Sequence, residues 1–375
     1  MKLKPFKLER YFDKYEFSVK HLLSSSDSQP LTQEEVLQMA GPDELNLWNN
    51  LGLGYTESKG LPVLREEIAK LYKNTSASQV LVVTPEEGIF ITMSCLLKKD
   101  DHIISTFPGY QSLYEVADGI GCEITKWHPE EKNGWRFSPE FLNENIKPST
   151  KAIIFNFPHN PTGYLPSQKE FSQIIDIARQ HNLWVFSDEM YRFLEFNAED
   201  RLPSACEVYE KAITLCGMSK SFGMPGIRIG WLITQDGEFC QELVSFKDYT
   251  TICSSAPSEV LALIGLKSKE KILLRQFAIV NNNLKIAEEF FRKYPNLFSW
   301  IKPKAGTISF PKLLFTDDAF EFCETLVQKI GIMLLPSTVY DYGNNHVRFA
   351  FGRKSMQEAL KLFEGYLKEN VINKV

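Results

Sequence analysis

Several features that define other classes of protein are missing from this chain of 375 residues. No apolar run approaches the roughly 20 residues that a membrane-spanning helix needs, so we expect no membrane partner. The seven cysteines form no Cys-x-x-Cys pair and the six histidines show no His-Glu-x-x-His spacing, so we expect no bound metal. The net charge of −5 counts against a nucleic-acid partner, because proteins that bind nucleic acid are usually basic.

The amino-terminal stretch MKLKPFKLERYFDKYEF also lacks a long apolar segment, so no signal peptide is predicted. An odd number of scattered cysteines in an acidic chain of this size is typical of reduced thiols. We therefore expect a cytoplasmic protein. The length allows one large domain with a smaller one attached.

Apolar segments with the length of buried strands alternate with helical patterns along the first 270 residues. Strands are predicted at residues 79–83, 102–106, 151–157, 183–189, 212–217 and 227–234. Helices are predicted at residues 61–72, 88–97, 167–181 and 241–249. Continuous apolar strands separated by helices indicate an α/β fold, in which a parallel or mixed sheet is covered on both faces.

The pattern changes beyond residue 294. Shorter strands are predicted at residues 306–314, 332–337 and 346–352, between a long helix at 271–294 and a last helix at 355–370. This pattern indicates a smaller α+β domain. We therefore expect a large domain at 46–270, a small carboxy-terminal domain at 271–375, and a segment at 1–45 that packs with the small domain or with a partner subunit.

The first motif that suggests chemistry is NFPHNPTGYLP, which begins at Asn156. It follows a predicted strand and precedes a predicted helix; Pro158 and Pro161 restrict the backbone, and Gly163 allows a turn. Ligands of open α/β sheets bind at such strand ends, so Asn160 is a candidate to direct its amide at a ligand. A stiff connecting loop without function explains the same residues equally well.

The second motif, FSDEMYRFLEF, places Asp188 and Glu189 at the end of an apolar strand. A carboxylate there is costly unless a cation or hydrogen bonds compensate it. Asp188 is either a helix cap or the counter-ion of a protonated ring nitrogen. Tyr191, three residues further on, can place its phenol in the same pocket.

The third motif is CGMSKSFGMPGIRIGWL, which begins at Cys216. Lys220 lies among small residues at the end of a predicted strand, where desolvation favours its neutral, nucleophilic form. Arg228 cannot lose its proton, so within a mostly apolar strand it needs an anion, and its planar fork suits a phosphate. An internal salt bridge to Asp188 or Glu189 would also account for both charges.

NPTG, DEMY and SKSFGMPGIRIGW together resemble, in order and spacing, the class I/II aminotransferases, which are fold-type I pyridoxal-phosphate enzymes. The resemblance extends over most of the chain, from LGYTESKGLPVLREEIA to HVRFAFG. It implies a large domain with a mostly parallel sheet between helices, a smaller α+β domain, and pyridoxal 5'-phosphate as the cofactor.

The resemblance also implies a role for each motif residue. Lys220 corresponds to the lysine that binds the cofactor as a Schiff base and moves the substrate proton. Asp188 would pair with the pyridinium nitrogen, so that the ring accepts electrons. Asn160 and Tyr191 would hydrogen-bond the ring oxygen, and Arg228 would bind the phosphate.

Three further residues match family positions outside these motifs. Tyr110 in FPGYQSLY matches the aromatic residue that stacks on the cofactor ring, although core packing would also explain it. Tyr55 resembles the tyrosine that reaches the phosphate in the neighbouring subunit, which implies a homodimer with shared active sites. Arg348 matches the arginine that binds the substrate α-carboxylate with both nitrogens; a surface ion pair is the alternative.

Two positions depart from the family pattern. Where the family has a turn of small residues around the phosphate, this chain has VTPEEGIF. We expect the helix N-terminus to bind the phosphate through the amides of Glu86 and Glu87, with their carboxylates pointing away. Gly217 stands where a Ser or Thr often donates to the phosphate, and Ser219 is a possible substitute donor.

The predicted activity is transfer of an amino group between an amino acid and a 2-oxo acid. The alternatives are a lyase or a cyclase similar to capreomycidine synthase, because FKLERYFDKYEF with LLSSSDSQPLTQEE resembles that branch. A non-catalytic cofactor-sensing domain is a distant alternative, since we expect no DNA-binding module before Leu53. Asn160 and Tyr15 are further candidates for substrate contact, and core packing explains Tyr15 equally well.

Overall fold

The computed structural model describes residues 1–372. The amino-terminal segment contains α1 (Lys7–Tyr15), β1 (His21–Leu22), α2 (Gln33–Leu37) and α3 (Pro42–Asn49). Helix α1 is amphipathic and buries an apolar face that includes Leu8 and Phe12. This face covers the candidate active site.

A seven-stranded sheet forms the centre of the molecule. Its strands in chain order are β2 (Val80–Val83), β3 (His102–Thr106), β4 (Glu123–Trp127), β5 (Thr150–Asn156), β6 (Trp184–Asp188), β7 (Ala212–Gly217) and β8 (Gly230–Thr234). Their order across the sheet is β2-β8-β7-β6-β5-β3-β4. Strand β8 is antiparallel to both of its neighbours, and the other pairs are parallel. This arrangement confirms the predicted fold class.

Helices cover both faces of the sheet. They are α4 (Pro62–Ala69), α5 (Pro85–Leu96), α6 (Ser112–Ile120), α7 (Glu140–Asn145), α8 (Gln168–Gln180), α9 (Ala205–Val208), α10 (Gly237–Lys247) and α11 (Ala256–Lys267). Successive strand residues face opposite sides, so Ile153 packs with the core under α7 and α8, whereas Ile154 packs with the core under α5, α6 and α10. Burial on both faces explains why the central strands are continuous apolar runs.

The carboxy-terminal part combines short strands and helices. Its elements are α12 (Lys269–Lys293), β9 (Phe298–Ser299), β10 (Ile308–Ser309), β11 (Lys312–Leu313), α13 (Ala319–Ile330), β12 (Ile332–Met333), β13 (Leu335–Pro336), β14 (Val347–Ala350) and α14 (Met356–Asn370). Strand β14 lies between β10 and β13, antiparallel to both. Strand β1 pairs in parallel with β12, which ties the amino-terminal segment to this part of the chain.

No helix within residues 1–372 is both long enough and apolar enough to span a membrane.

The prediction that Arg228 lies within a strand is wrong. Strand β8 begins at Gly230, and the preceding residues Pro225–Ile227 form a single 3₁₀ turn. Arg228 follows this turn in the left-handed region with φ of 58°. The proline favours a turn because it has no N–H to give to a sheet ladder. The guanidinium is therefore exposed at the mouth of a cavity and is not enclosed in the sheet.

Candidate active site

The carboxyl ends of β5, β6 and β7 meet at one edge of the sheet and open into a cavity of about 560 Å³. Asn156 and Asp188 are the last residues of β5 and β6, and both line this cavity. Arg348 reaches it from β14, and α1 covers it on the side away from the sheet. The predicted site residues that line it are Glu86, Tyr110, Asn160, Asp188, Tyr191, Ser219, Lys220, Arg228 and Arg348.

Lys220 lies in the loop that follows β7. Its Nζ donates a hydrogen bond to Ser26 Oγ at 2.9 Å. Desolvation lowers the pKa of the Lys220 amine, and nearby Arg348 lowers it further, while Asp27 acts in the opposite direction. A lysine with a lowered pKa has a larger fraction of the neutral amine, which is the nucleophilic form.

Asp188 is buried at the end of β6. Its Oδ1 accepts a hydrogen bond from the backbone N–H of Met190 at 3.0 Å. Burial raises the pKa of this carboxyl group to about 7, although the Met190 hydrogen bond and the charge of Lys220 act in the opposite direction. A cationic partner would stabilise the ionised form of this buried carboxyl group.

The alternative of an internal salt bridge is not observed. Within residues 1–372, neither Lys220 nor Arg228 forms an ion pair with Asp188 or Glu189. Glu189 instead pairs with Arg192 at 3.4 Å and accepts hydrogen bonds from Ser204 Oγ and from a backbone N–H. The two neighbouring carboxylates therefore have separate surroundings, and Asp188 is the one that faces the cavity.

Asn160 is fixed by a network that joins β5 to the carboxy-terminal part. Its backbone N–H donates to Asn156 Oδ1 at 2.8 Å, and Asn156 Nδ2 donates to the backbone oxygen of Asp188 at 3.0 Å. Asn160 Oδ1 accepts hydrogen bonds from Tyr340 Oη at 3.1 Å and from Arg348 Nη1 at 3.3 Å. The Asn160 side chain is therefore held in a single orientation at the cavity wall.

Arg348 is a buried arginine, only 1% exposed. Its Nε donates to the backbone oxygen of Ser24 at 2.9 Å, and its Nη1 donates to Tyr340 Oη at 2.7 Å. The ring of Phe12 covers the guanidinium at 5.5 Å. No carboxylate within residues 1–372 forms an ion pair with it, and a buried cation without an anion is costly. A ligand carboxylate would supply the missing charge.

Three buried hydroxyl groups that line the cavity have no hydrogen-bond partner within residues 1–372. These are Ser25 Oγ, Tyr191 Oη and Ser219 Oγ. Buried hydroxyl groups usually have a partner, so those in the cavity are available to hydrogen-bond a ligand. Tyr110 forms another part of the wall, and its hydroxyl donates to Glu9 Oε1 at 3.2 Å.

The N-terminus of α5 lies beside Arg228. Thr84 precedes the helix and donates its hydroxyl to the backbone oxygen of Arg228 at 3.2 Å. Gly88 N–H makes the first backbone bond of the helix, to Thr84 O at 2.8 Å, so the backbone amides of Glu86 and Glu87 precede it. A helix N-terminus next to a guanidinium favours an anion.

The carboxylates of this first turn point in different directions. Glu87 points away from the cavity, caps Thr84 N–H at 3.3 Å and accepts from Thr251 Oγ1 at 2.7 Å. Glu86 lines the cavity and accepts a hydrogen bond from Ser112 Oγ at 3.2 Å. Burial raises the pKa of Glu86, which favours its uncharged form. The expectation that both carboxylates turn away therefore describes only one of them.

Gly217 has a structural reason to be a glycine. It pairs with Gly230 across β7 and β8, and a Cβ at this position would lie 3.0 Å from Gly230 Cα and 3.1 Å from Ile229 O. A serine does not fit without movement of the sheet. The neighbouring buried hydroxyl of Ser219 is available in its place.

Three predicted site residues do not line the cavity of this chain: Glu87, Tyr15 and Tyr55. Tyr15 is buried in α1 with its hydroxyl bonded to Glu324, which matches the core-packing alternative. Tyr55 is 88% exposed and does not line the cavity of its own chain.

Sequence reasoning missed several residues that shape the site. Ser26, Phe12, Glu9 and Tyr340 all contact residues of the predicted site. They come from segments that are distant in sequence from the three motifs. The serine-rich run LLSSSDS, which contains Ser26, stands out in the sequence. Its spacing does not indicate that one of its serines contacts a lysine.

Comparisons with known proteins agree with this geometry. The profile of the family described as aminotransferase class I and II matches residues 22–363. The aromatic-amino-acid aminotransferase 2 of Thermococcus litoralis is 25% identical over 344 residues, which cover 84% of each protein. Capreomycidine synthase of Streptomyces vinaceus is 22% identical over 277 residues, which cover 73% of this chain and 70% of that protein.

A crystal structure of a PLP-dependent aminotransferase from Streptococcus suis superposes with a TM-score of 0.93 at 30% identity. The match covers 98% of this chain and 99% of the other. Because the family profile covers most of the sequence, this chain belongs to the class I and II aminotransferase family, as its three motifs predict.

Proposed function

We propose that this protein is a pyridoxal-phosphate-dependent aminotransferase that moves an amino group between an amino acid and a 2-oxo acid. The observation that carries the proposal is that one cavity contains the Lys220 amine, the buried Asp188 carboxyl group and the Arg348 guanidinium. None of the three forms an ion pair within residues 1–372, and the cofactor with its substrate would supply a charged partner or a covalent one for each.

The residues present fit pyridoxal phosphate. Tyr191 Oη is buried without a partner, and the ring oxygen of the cofactor would accept its hydrogen bond. Asp188 would face the ring nitrogen, and Tyr110 would cover one face of the ring. Ser219 Oγ, also without a partner, would be a donor to the phosphate, together with Arg228 and the first turn of α5.

Lys220 would hold the cofactor through its amine and then act as the general acid–base. When bound, pyridoxal phosphate supplies an electron sink that stabilises negative charge at the substrate Cα. The lowered pKa of Lys220 enlarges the fraction of free amine that would accept the Cα proton and donate it again. Ser26, at 2.9 Å from Nζ, would orient this amine.

Arg348 would bind the substrate α-carboxylate. Its Nε and Nη1 are already fixed by Ser24 and Tyr340, so the guanidinium plane is set before the substrate arrives. Such preorganisation reduces the cost of orienting the bond that breaks. Phe12 would exclude water from this ion pair and so strengthen it.

The active site would be completed in a homodimer. Tyr55 is 88% exposed in the single chain, which supports a role at the phosphate of a neighbouring subunit. We also propose that the chain divides into an amino-terminal segment at 1–45, a large domain at 46–270 and a small domain at 271–375. All seven cysteines are free thiols, which supports a location in the cytoplasm.

A lyase or cyclase is the second candidate. It is favoured by one observation, the similarity to capreomycidine synthase over 73% of the chain. Both candidates share the roles of Lys220, Asp188 and Arg348, so the site alone does not separate them.

Titration of the pyridoxal-phosphate-loaded protein with single amino acids tests the proposal. An aminotransferase converts the bound cofactor to its amine form, releases one 2-oxo acid per site and returns to the starting spectrum when a second 2-oxo acid is added. Release of ammonia without an acceptor would identify a lyase. A cyclic product without net loss of nitrogen would identify a cyclase.

A further inference from the structure

The cavity contains more carboxylates than the proposed function uses. Asp188 is assigned to the cofactor, and Asp27 is bound by Arg353, whose Nη2 lies 2.9 Å from both carboxylate oxygens. The remaining acidic residues that line the cavity are Glu9, Glu16 and Glu86. Within the described part of the chain, these three form no ion pair with a lysine, arginine or histidine.

Two of the three project from α1 towards the place of the substrate. Glu9 lies in α1 and Glu16 follows its last residue, and a spacing of seven residues is about two turns, so both lie on the same face. Phe12 lies between them and covers Arg348. Glu86 belongs instead to the α5 end, where the phosphate is expected.

These two glutamates have few hydrogen-bond partners. Glu9 accepts one hydrogen bond from the neutral hydroxyl of Tyr110 at 3.2 Å, and the Glu16 carboxylate accepts none within residues 1–372. Burial raises the pKa of Glu16 and nearby Asp27 and Glu9 raise it further, while Arg353 and Lys220 act in the opposite direction. Like charges brought together in a partly enclosed site favour a cation between them.

A separate observation concerns another residue of the same cavity. Ser25 lines the cavity, is 3% exposed, and its hydroxyl has no hydrogen-bond partner. A buried hydroxyl can accept a hydrogen bond from an N–H donor. The cavity therefore offers a hydroxyl acceptor in addition to the two carboxylates.

We infer that the amino-acid substrate has a side chain that ends in a cation, an ammonium or guanidinium group, which Glu9 and Glu16 bind while Arg348 binds the α-carboxylate. This inference rests on the proposed function. A substrate with a second carboxylate would face two like charges. Arg353 is already bound to Asp27 and does not offer a second anion site.

Pairs of substrates that differ only in charge test the inference. Arginine is compared with citrulline, in which a neutral urea replaces the guanidinium, and lysine with norleucine, which lacks the ammonium. Aspartate and phenylalanine are included. We expect at least one cationic amino acid to exceed its neutral counterpart by about 10-fold or more in kcat/KM. Whether arginine or lysine is preferred distinguishes a guanidinium from an ammonium substrate.

Variants link this preference to α1. Glu9→Gln and Glu16→Gln should each reduce kcat/KM for the cationic substrate by about 10-fold, and so reduce its advantage over the neutral counterpart. Asp13→Asn, on the exposed side of α1 where Asp13 pairs with Arg10, should preserve that advantage.

The possible failures are distinguishable. Conversion of aspartate or phenylalanine with no advantage for a cationic substrate would overturn the inference and leave the proposed function intact. If no amino acid changes the spectrum of the bound cofactor, the proposed function fails and the inference with it.

Discussion

Tyr340 Oη lies 2.7 Å from Arg348 Nη1 and 3.1 Å from Asn160 Oδ1. One buried phenol therefore connects the group that would bind the substrate carboxylate with the group that would bind the cofactor ring oxygen. Tyr340 does not line the cavity, so it acts through these two residues as a positioning residue. No motif in the sequence indicates this relationship.

Tyr340→Phe should weaken substrate binding more than it slows turnover. A hydrogen bond to a charged group contributes about 1.5–3 kcal/mol, so we expect KM to rise roughly 10-fold with a smaller change in kcat. Steady-state kinetics measures the split. The control is Tyr342→Phe, which removes the hydroxyl group of a half-buried tyrosine that forms no hydrogen bond with Arg348. Equal effects of the two variants would contradict the positioning role.

Asp188 should make the stability of the cofactor-free protein depend on pH. Its pKa rises from 3.8 to about 7 on folding, so the folded state keeps the proton to higher pH than the unfolded chain. Its contribution to the free energy of unfolding is therefore complete below pH 3.8 and is lost as the pH rises towards 7.

Urea unfolding of the wild type and of Asp188→Asn between pH 4.5 and 8 measures this effect. The stability of the wild type relative to the variant should fall with rising pH by up to about 1.4 kcal/mol per pH unit. The exposed Asp176→Asn serves as control. Parallel profiles for wild type and Asp188→Asn would show that this carboxyl group is not the source.

Gly217→Ala should destabilise the sheet. The added Cβ would lie 3.0 Å from Gly230 Cα, and crowding of this kind costs about 1–3 kcal/mol. Gly237→Ala, where no atom lies within 4 Å of the added Cβ, is the control. Thermal unfolding should give a lower Tm for Gly217→Ala alone. An unchanged Tm would mean that crowding does not explain why Gly217 stands where the family often has Ser or Thr.

Tyr55→Ala should weaken cofactor binding although the side chain is exposed in the single chain. We expect the Kd for pyridoxal phosphate to rise by about 10-fold, because a hydrogen bond to a charged group is lost. Tyr249→Ala, which removes another tyrosine that is 91% exposed, should have no such effect.

Mixing Tyr55→Ala with Lys220→Ala tests the shared site directly. In a mixed dimer, one site combines the intact Lys220 of one chain with the intact Tyr55 of the other. At a pyridoxal-phosphate concentration too low to load the Tyr55→Ala dimer, the mixture should therefore exceed the summed activities of the two variants. A mixture with no more activity than the sum of its parts would contradict the shared site.

The central strands could be predicted because burial on both faces makes each of them a continuous apolar run. Strand β4 was missed, since Glu123 and Lys126 are exposed at the edge of the sheet and interrupt the apolar pattern. Arg228 was placed in a strand because its neighbours are apolar, whereas the turn that begins at Pro225 decides its position.

The family and its cofactor could be predicted from the three motifs, and the family profile confirms them. The environment of the motif residues could not be predicted. Ser26 and Tyr340 reach Lys220 and Arg348 through the tertiary fold, and no local spacing records such contacts. The domain limits at 45 and 270 and the role of each site residue stay predictions.

The most direct test of the account is to locate the lysine that binds the cofactor. The loaded protein is reduced with borohydride, which fixes the bond between lysine and cofactor, and the modified peptide is identified by mass spectrometry. The account predicts that the added mass lies on Lys220 in the peptide containing SKSFGMPG, and that Lys220→Ala carries none. Modification of another lysine, such as the buried Lys247, with Lys220 unmodified would contradict it.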